Sequence, residues 1–228
     1  MVHVPLFASD TFKGQSALGL IGDTIEEIDW SVGEIVKALQ KHGLDKKTLV
    51  VFTSDNGPDR RPAGPFRGSK ASIYEGGVRE PCIMRWPGKI PAGTTCDQIA
   101  GNIDVLPTLA KLAGGSAPKD RAIDGRDISG LLLEANPGPV RDKHLHFTGG
   151  GKLGAIRMGN WKLILNQTGR KGKPGAETQL FDLARDQGES KNVADAHPEI
   201  VARLSEEAEK SAAEIQANKR PPGTLAEK

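Results

Sequence analysis

Five consecutive apolar or β-branched residues, Leu49-Val50-Val51-Phe52-Thr53, run without alternation straight into the polar turn Ser54-Asp55-Asn56-Gly57-Pro58. A strand with one face in water alternates apolar and polar side chains. An unbroken run instead predicts a strand buried on both faces, in a sheet covered by helices. Pro81–Trp86 reads as a second short strand of this kind, closed by Pro87-Gly88. In open α/β sheets, ligands bind outside the carboxyl ends of strands, and Asp55 and Asn56 fall there.

Periodicity supplies the covering elements. Ile21, Ile25, Ile28, Val32, Ile35 and Leu39 recur at three- and four-residue steps and predict an amphipathic helix over Ser16–His42, stopped by Gly43. Ile103–Ala113 and Asp127–Leu133 read as shorter helices. After about Asn136 the pattern changes to short strand-like runs, His144–Phe147, Ala155–Met158, Trp161–Leu165 and Gln179–Leu183, separated by glycine-rich turns. A helix over Pro198–Gln216 follows, with proline at its favoured first position. The basic cluster Arg170-Lys171-Gly172-Lys173 reads as a solvated hairpin tip, and Arg220–Lys228 as a disordered tail. Strands alternating with helices, then a run of strands with one helix, describe an α/β unit followed by a small antiparallel α+β unit.

Composition removes several classes of function. The 31 Lys and Arg against 29 Asp and Glu are interspersed, and aromatic residues are only 4%. This is neither the basic footprint nor the stacking platform of a nucleic-acid binder. No apolar run approaches the length of a membrane span. The two cysteines, Cys82 and Cys96, allow one disulfide at most and lack the spacing of a zinc or redox motif. His144 and His146 alternate onto one face of a strand, but no third metal ligand is near them in sequence.

Three places could carry chemistry. Asp55 and Asn56 offer adjacent oxygens suited to a hard cation, or an Asx turn that satisfies its own backbone. The aperiodic stretch Asp59–Gly77 is long for a loop and contains Arg67-Gly68-Ser69-Lys70. A lysine on such a turn can present a point charge to a phosphate or sulfate oxygen, or can be an ordinary surface lysine. His3 could donate a proton to a leaving group, or be an exposed residue near a terminus. No G-x-S-x-G elbow is present, and no cysteine sits in a setting that would lower its pKa.

The segment Leu-Val-Val-Phe-Thr-Ser-Asp-Asn-Gly through Arg-Gly-Ser-Lys to Tyr-Glu-Gly-Gly-Val-Arg-Glu-Pro, over 49–81, resembles the type I sulfatases of the arylsulfatase A group, in the alkaline phosphatase superfamily. The resemblance continues in His3-Val4-Pro5, Gly22-Asp23-Thr24, Trp86-Pro87-Gly88, Asp104-Val105-Leu106-Pro107-Thr108, Asp124-Gly125-Arg126-Asp127 and Leu180-Phe181-Asp182-Leu183. It implies part of a large mixed-sheet α/β sulfatase domain over 1–140, followed by a small antiparallel α+β C-terminal domain over 141–228. It also implies that Asp55 and Asn56 are ligands of a divalent cation, usually calcium. Lys70 would then contact the substrate sulfate and His3 would sit near the leaving-group oxygen. Which of Asp55 and His3 protonates the leaving group stays open.

Members of the group carry a Cys- or Ser-x-Pro-x-Arg motif whose first residue becomes the formylglycine nucleophile. Cys82 is followed by Ile-Met-Arg and Cys96 by Asp-Gln-Ile, so neither fits. The paired upstream aspartates of the cation site are also missing. The resemblance therefore implies the C-terminal portion of a sulfatase acting on a sulfate ester, inactive alone, while composition and hydropathy predict no nucleic-acid or membrane partner. Its location would be periplasmic or extracellular. An incomplete sheet is expected to leave apolar faces uncovered, through which the chain could associate. Two other readings remain open: a phosphodiesterase or phosphonate hydrolase of the same superfamily, and a non-catalytic fragment binding a partner chain.

Overall fold

The computed structural model describes residues 2–59, 61–135, 137–165 and 177–220. The basic cluster at 170–173 and the tail at 221–228 lie outside the described residues. The chain divides into two units, Met1–Val51 with Ile83–Thr94, and Phe52–Cys82 with Thr95–Lys228.

The first unit is dominated by α1 (Leu20–Lys41). It begins four residues later than the periodicity predicts because Asp23, buried near its start, accepts the Gly14 and Ser16 N–H groups at 2.8 Å each and shapes that stretch into turns. Gly43 follows the helix with φ 67°, the left-handed stop expected from sequence. Thr24 donates to the Leu20 carbonyl, and Glu27 accepts the Ser9 N–H. Only Gly22, Asp23 and Thr24 of this helix are buried, whereas Ile25, Trp30 and Ile35 are about half exposed.

β1 (Val50–Thr53) and β2 (Cys82–Arg85) form a two-stranded sheet. The apolar run of β1 predicts burial on both faces, yet Val51, Phe52 and Thr53 are exposed and only Val50 is half-buried. With β2 as its sole partner among the described residues, the strand has too little structure against it to exclude water. The expected uncovered apolar surface is thus present at Val51, Phe52 and Ile83.

In the second unit, α2 (Glu75–Val78) is a single helical turn inside the stretch that sequence reads as aperiodic. α3 (Val105–Leu112) and α4 (Ser129–Leu133) follow. Asp127 accepts the Ser129 N–H at 2.9 Å, so the fourth helix starts two residues later than predicted. Next comes an antiparallel sheet in the order β3 (Lys143–Phe147), β4 (Leu153–Met158), β5 (Trp161–Ile164), β6 (Gln179–Asp182), and then α5 (Pro198–Asn218).

Strand alternation gives this sheet two different faces. Ile156, Leu163 and Leu180 lie opposite one another in register and pack with Leu204 and Ala208 of α5. Each such fully buried aliphatic side chain contributes roughly 1.5–3 kcal/mol. The other face carries Ala155, Ile164 and Phe181, which pack with Leu183, Ile73 and Tyr74. One row across it reads His144, Arg157, Lys162, Phe181 in direct register. The sheet therefore covers its apolar side with α5 and turns a mixed, charged side toward the segment that follows Lys70.

Candidate functional site

β1 ends where the sequence reading places the cation ligands. Beyond Thr53, Ser54 Oγ donates to the Asn56 carbonyl at 3.1 Å, and Asn102 Nδ2 donates to the Ser54 carbonyl at 3.0 Å. Asp55 is exposed and Asn56 half-buried, both in a turn pinned at its first residue by Asn102. The next residue cannot carry a side chain. A Cβ on Gly57 would lie 2.0 Å from the Gly76 carbonyl oxygen, and the Gly57 N–H donates to the Gly77 carbonyl at 3.2 Å.

That close approach joins the turn to the lysine-bearing segment. The Lys70 N–H donates to the Pro58 carbonyl at 3.0 Å, and Gly76 N–H donates to the Arg67 carbonyl at 2.7 Å. Asp55, Asn56 and Lys70, fifteen residues apart at their extremes, are thus held together by backbone hydrogen bonds within one unit. Lys70 itself is exposed. His3 belongs to the other unit, where it is exposed and its Nδ1 donates to the Val4 carbonyl at 2.9 Å.

Glu80 was not among the residues singled out from sequence, although it stands in the Val-Arg-Glu-Pro motif. Its Oε1 is buried without a hydrogen-bond partner. Burial, and then the negative charge of Asp55, push its carboxyl above the usual range. Two acidic groups that repel across a partly buried space, one with an orphaned oxygen, form an environment that a divalent cation would relieve. Asp55 and Asn56 as ligands fit that requirement. Among the described residues no cluster of three or more His, Cys, Asp or Glu is arranged to hold a metal by itself.

A nucleophile of the formylglycine type finds no residue to fit it. Cys82 and Cys96 are exposed residues with free thiols outside the required motif, and partial desolvation of the Cys82 sulfur raises its pKa rather than activating it.

Behind the site lies a buried ionic cluster that no sequence signal marked. Lys162 Nζ sits 2.8 Å from Glu75 Oε1 and 3.0 Å from Glu189 Oε1, and all three side chains are at most 2% exposed. Glu189 Oε2 also accepts the Glu75 N–H at 2.6 Å. Arg157 and Arg79 approach Glu75 Oε2 at 3.7 and 3.8 Å. Next to it, His144 and His146 meet edge to face at 5.0 Å between ring centroids. Burial first, and then the charges of Lys162, His144 and Arg157, push His146 well below its ordinary value. The pair lies on one face of the sheet, as the alternation predicts, beside the charges of Lys162 and Arg157.

A family model described as Sulfatase matches residues 2–116, and one described as N-sulphoglucosamine sulphohydrolase, C-terminal, matches residues 68–214. Steryl-sulfatase of Rattus norvegicus is 46% identical over 143 residues, which are 58% of this chain and 25% of that protein. Arylsulfatase A of Homo sapiens is 34% identical over 232 aligned positions, covering 90% of this chain and 45% of that protein. Among solved structures, the PsFucS1 sulfatase from Pseudoalteromonas sp. superposes with a TM-score of 0.85 at 26% identity, over 98% of this chain and 48% of its own. A structure described with glycosaminoglycan metabolism by Bacteroides thetaiotaomicron gives 0.79 at 34% identity, over 92% and 48%. The chain therefore spans less than half the length of each of these relatives. Both family models cover half of the chain or more, and the chain belongs to the sulfatase family.

Proposed function

We propose that this chain serves in the hydrolysis of a sulfate ester, with Asp55 and Asn56 as ligands of a divalent cation, Lys70 on the sulfate and His3 at the leaving group. One observation supports the reading above the others. The Gly57–Gly77 and Lys70–Pro58 hydrogen bonds tie an oxygen-rich turn and a cationic residue together at the end of a strand. A bound calcium ion would supply positive charge beside non-bridging sulfate oxygens. Asp55 and Asn56 would hold it, and the unrelieved charge of Asp55 and Glu80 favours its entry. Lys70 would add a second positive point charge to the same ester as charge shifts in the transition state. His3 could hold a proton for the departing oxygen. No step is assigned to a formylglycine, because no residue of this sequence fits it, and the chain alone is expected to show negligible turnover. Residues 1–140 are read as part of the catalytic α/β domain and 141–228 as the small C-terminal domain, working in the periplasm or outside the cell.

Titration of the chain with calcium and with inorganic sulfate, followed by amide NMR, tests this reading. Calcium is expected to move signals around Asp55 and sulfate those around Lys70, each weakly and saturably. Asp55→Asn should abolish the first response and Lys70→Ala the second. Responses that survive both substitutions would refute it. A phosphonate monoester hydrolase of Agrobacterium radiobacter is a more distant structural neighbour, with a TM-score of 0.62 at 25% identity. Phosphonate competing better than sulfate at Lys70 would favour that alternative.

A further inference from the structure

We infer that Lys162 and Glu189 are positioning residues for Lys70: the C-terminal sheet holds the lysine-bearing segment in the shape that presents its ammonium group. This rests on the reading of Lys70 as the sulfate contact. Among the described residues, the Lys70 side chain has no hydrogen bond or ion pair of its own, so the backbone around it sets where it points. That segment is held near both ends by one partner, through the Glu75 backbone and the Arg67 side chain. Glu189 accepts the Glu75 N–H through Oε2, and its carbonyl accepts Arg67 Nη1 at 3.0 Å. Arg67 in turn stacks over the Tyr74 ring at 4.0 Å, and Tyr74 donates its hydroxyl hydrogen to Gln179 of β6 at 2.9 Å.

The segment between those anchors is strained. Ala71, next to Lys70, has φ 71°, and Glu189 has φ 51°. They are the two non-glycine residues among those described with positive φ. A side chain in that region is costly and persists only where its surroundings over-determine it. Lys162 supplies the determination. It stands on the sheet face that packs Ile73 and Tyr74, and its ammonium group bridges Glu75 and Glu189. Without it, Arg157 and Arg79 would still lie 3.7 and 3.8 Å from Glu75. Glu189, however, would face Glu75 away from water without the ammonium between them, and the segment would relax to separate the two. Lys70 is too exposed to resist that movement.

The experiment exploits the composition, because Tyr74 is the chain's single tyrosine. Biosynthetic 3-fluorotyrosine gives one 19F signal inside the segment, while amide NMR reports separately on α5 and on β3–β6. The probe ligand is inorganic sulfate. In Lys162→Met, and in the milder Glu189→Gln, which keeps an acceptor for the Glu75 N–H, the 19F signal should broaden or move toward its position in the urea-unfolded chain. Sulfate affinity should weaken about tenfold, because apparent affinity falls with the fraction of molecules that present the competent loop. The amide signals of α5 should persist in Glu189→Gln. An unchanged 19F signal and sulfate affinity in both variants would overturn the inference. So would loss of the α5 signals together with that of Tyr74 in Glu189→Gln, which would mark a general structural role. Absence of a sulfate response in the unaltered chain would refute the reading of Lys70, and the clamp would then be judged on the Tyr74 signal alone.

Discussion

Asp104 is where stability and site geometry meet, and neutralising it should be costly. Its carboxylate is fully buried and accepts the Gly101 and Arg126 N–H groups at 2.8 Å each, besides the Arg141 guanidinium. Arg141 is itself buried, and its Nε has no partner. Asp104→Asn keeps the shape but turns one acceptor into a donor and leaves the guanidinium without a counter-charge. Breaking such a buried pair from one side costs about 3–5 kcal/mol. At about 2–4 °C per kcal/mol for a chain of this size, the melting temperature should fall by about 6–20 °C. Because Asn102, two residues away, holds the Ser54 carbonyl, the calcium response at Asp55 should weaken as well. Urea unfolding followed by tryptophan fluorescence measures the first effect. The double variant Asp104→Asn/Arg141→Met, which removes both charges, should recover part of the loss. A single variant within 1 kcal/mol of the parent, or a double variant no more stable than the single one, would refute this account.

Other consequences are accessible to the same assay. Burial, and then the charge of Arg141, lower the pKa of His144, and His146 is lowered further. The unfolded chain therefore binds protons that the folded chain refuses. The histidine contribution is fully present above about pH 6.5 and is lost progressively below it, as pH falls toward the lowered values of the folded chain. Unfolding midpoints should drop from pH 7.5 to 5.5, and His146→Gln should flatten that drop, whereas an unchanged slope would exclude the pair as its cause. Gly57→Ala must push the Gly76 carbonyl away and should cost about 1–3 kcal/mol, together with the sulfate response at Lys70. Retention of that response would show the contact to be dispensable. Leu204→Ala, at a fully buried position of α5, should cost about 2.7–5 kcal/mol, read as an unfolding midpoint shift with the m-value preserved.

Periodicity located most elements because side-chain spacing follows the helical and strand repeats, even in α1, whose apolar stripe is largely exposed. The apolar spacing in α1 and the Pro198 start of α5 fall within a few residues of the structure. The alternation of His144 and His146 likewise anticipated their shared face. It failed on β1, where an apolar run predicts covering layers that the described residues do not supply. Residue type and motif singled out Asp55, Asn56 and Lys70 as the proposed cation and sulfate contacts, because they carry chemical identity. Glu80, Asn102 and the Lys162 cluster were not singled out. Their roles depend on contacts between residues up to 114 positions apart, and no local spacing encodes those. Lys162 is the clearest case. In a strand reading Trp-Lys-Leu-Ile, a lysine looks like the solvent side of an alternation.

The meeting of Gly57 and Gly76 bears on how function is inferred from variation. Both positions tolerate no added carbon, since each would collide with backbone oxygen at 2.0–2.5 Å, and neither carries a side chain that could act on an ester. In an exhaustive substitution scan they would rank beside the residues proposed to touch the ester. Intolerance there would measure the absence of room between two loops. A scan read without the geometry would count two spacers as members of the reaction machinery.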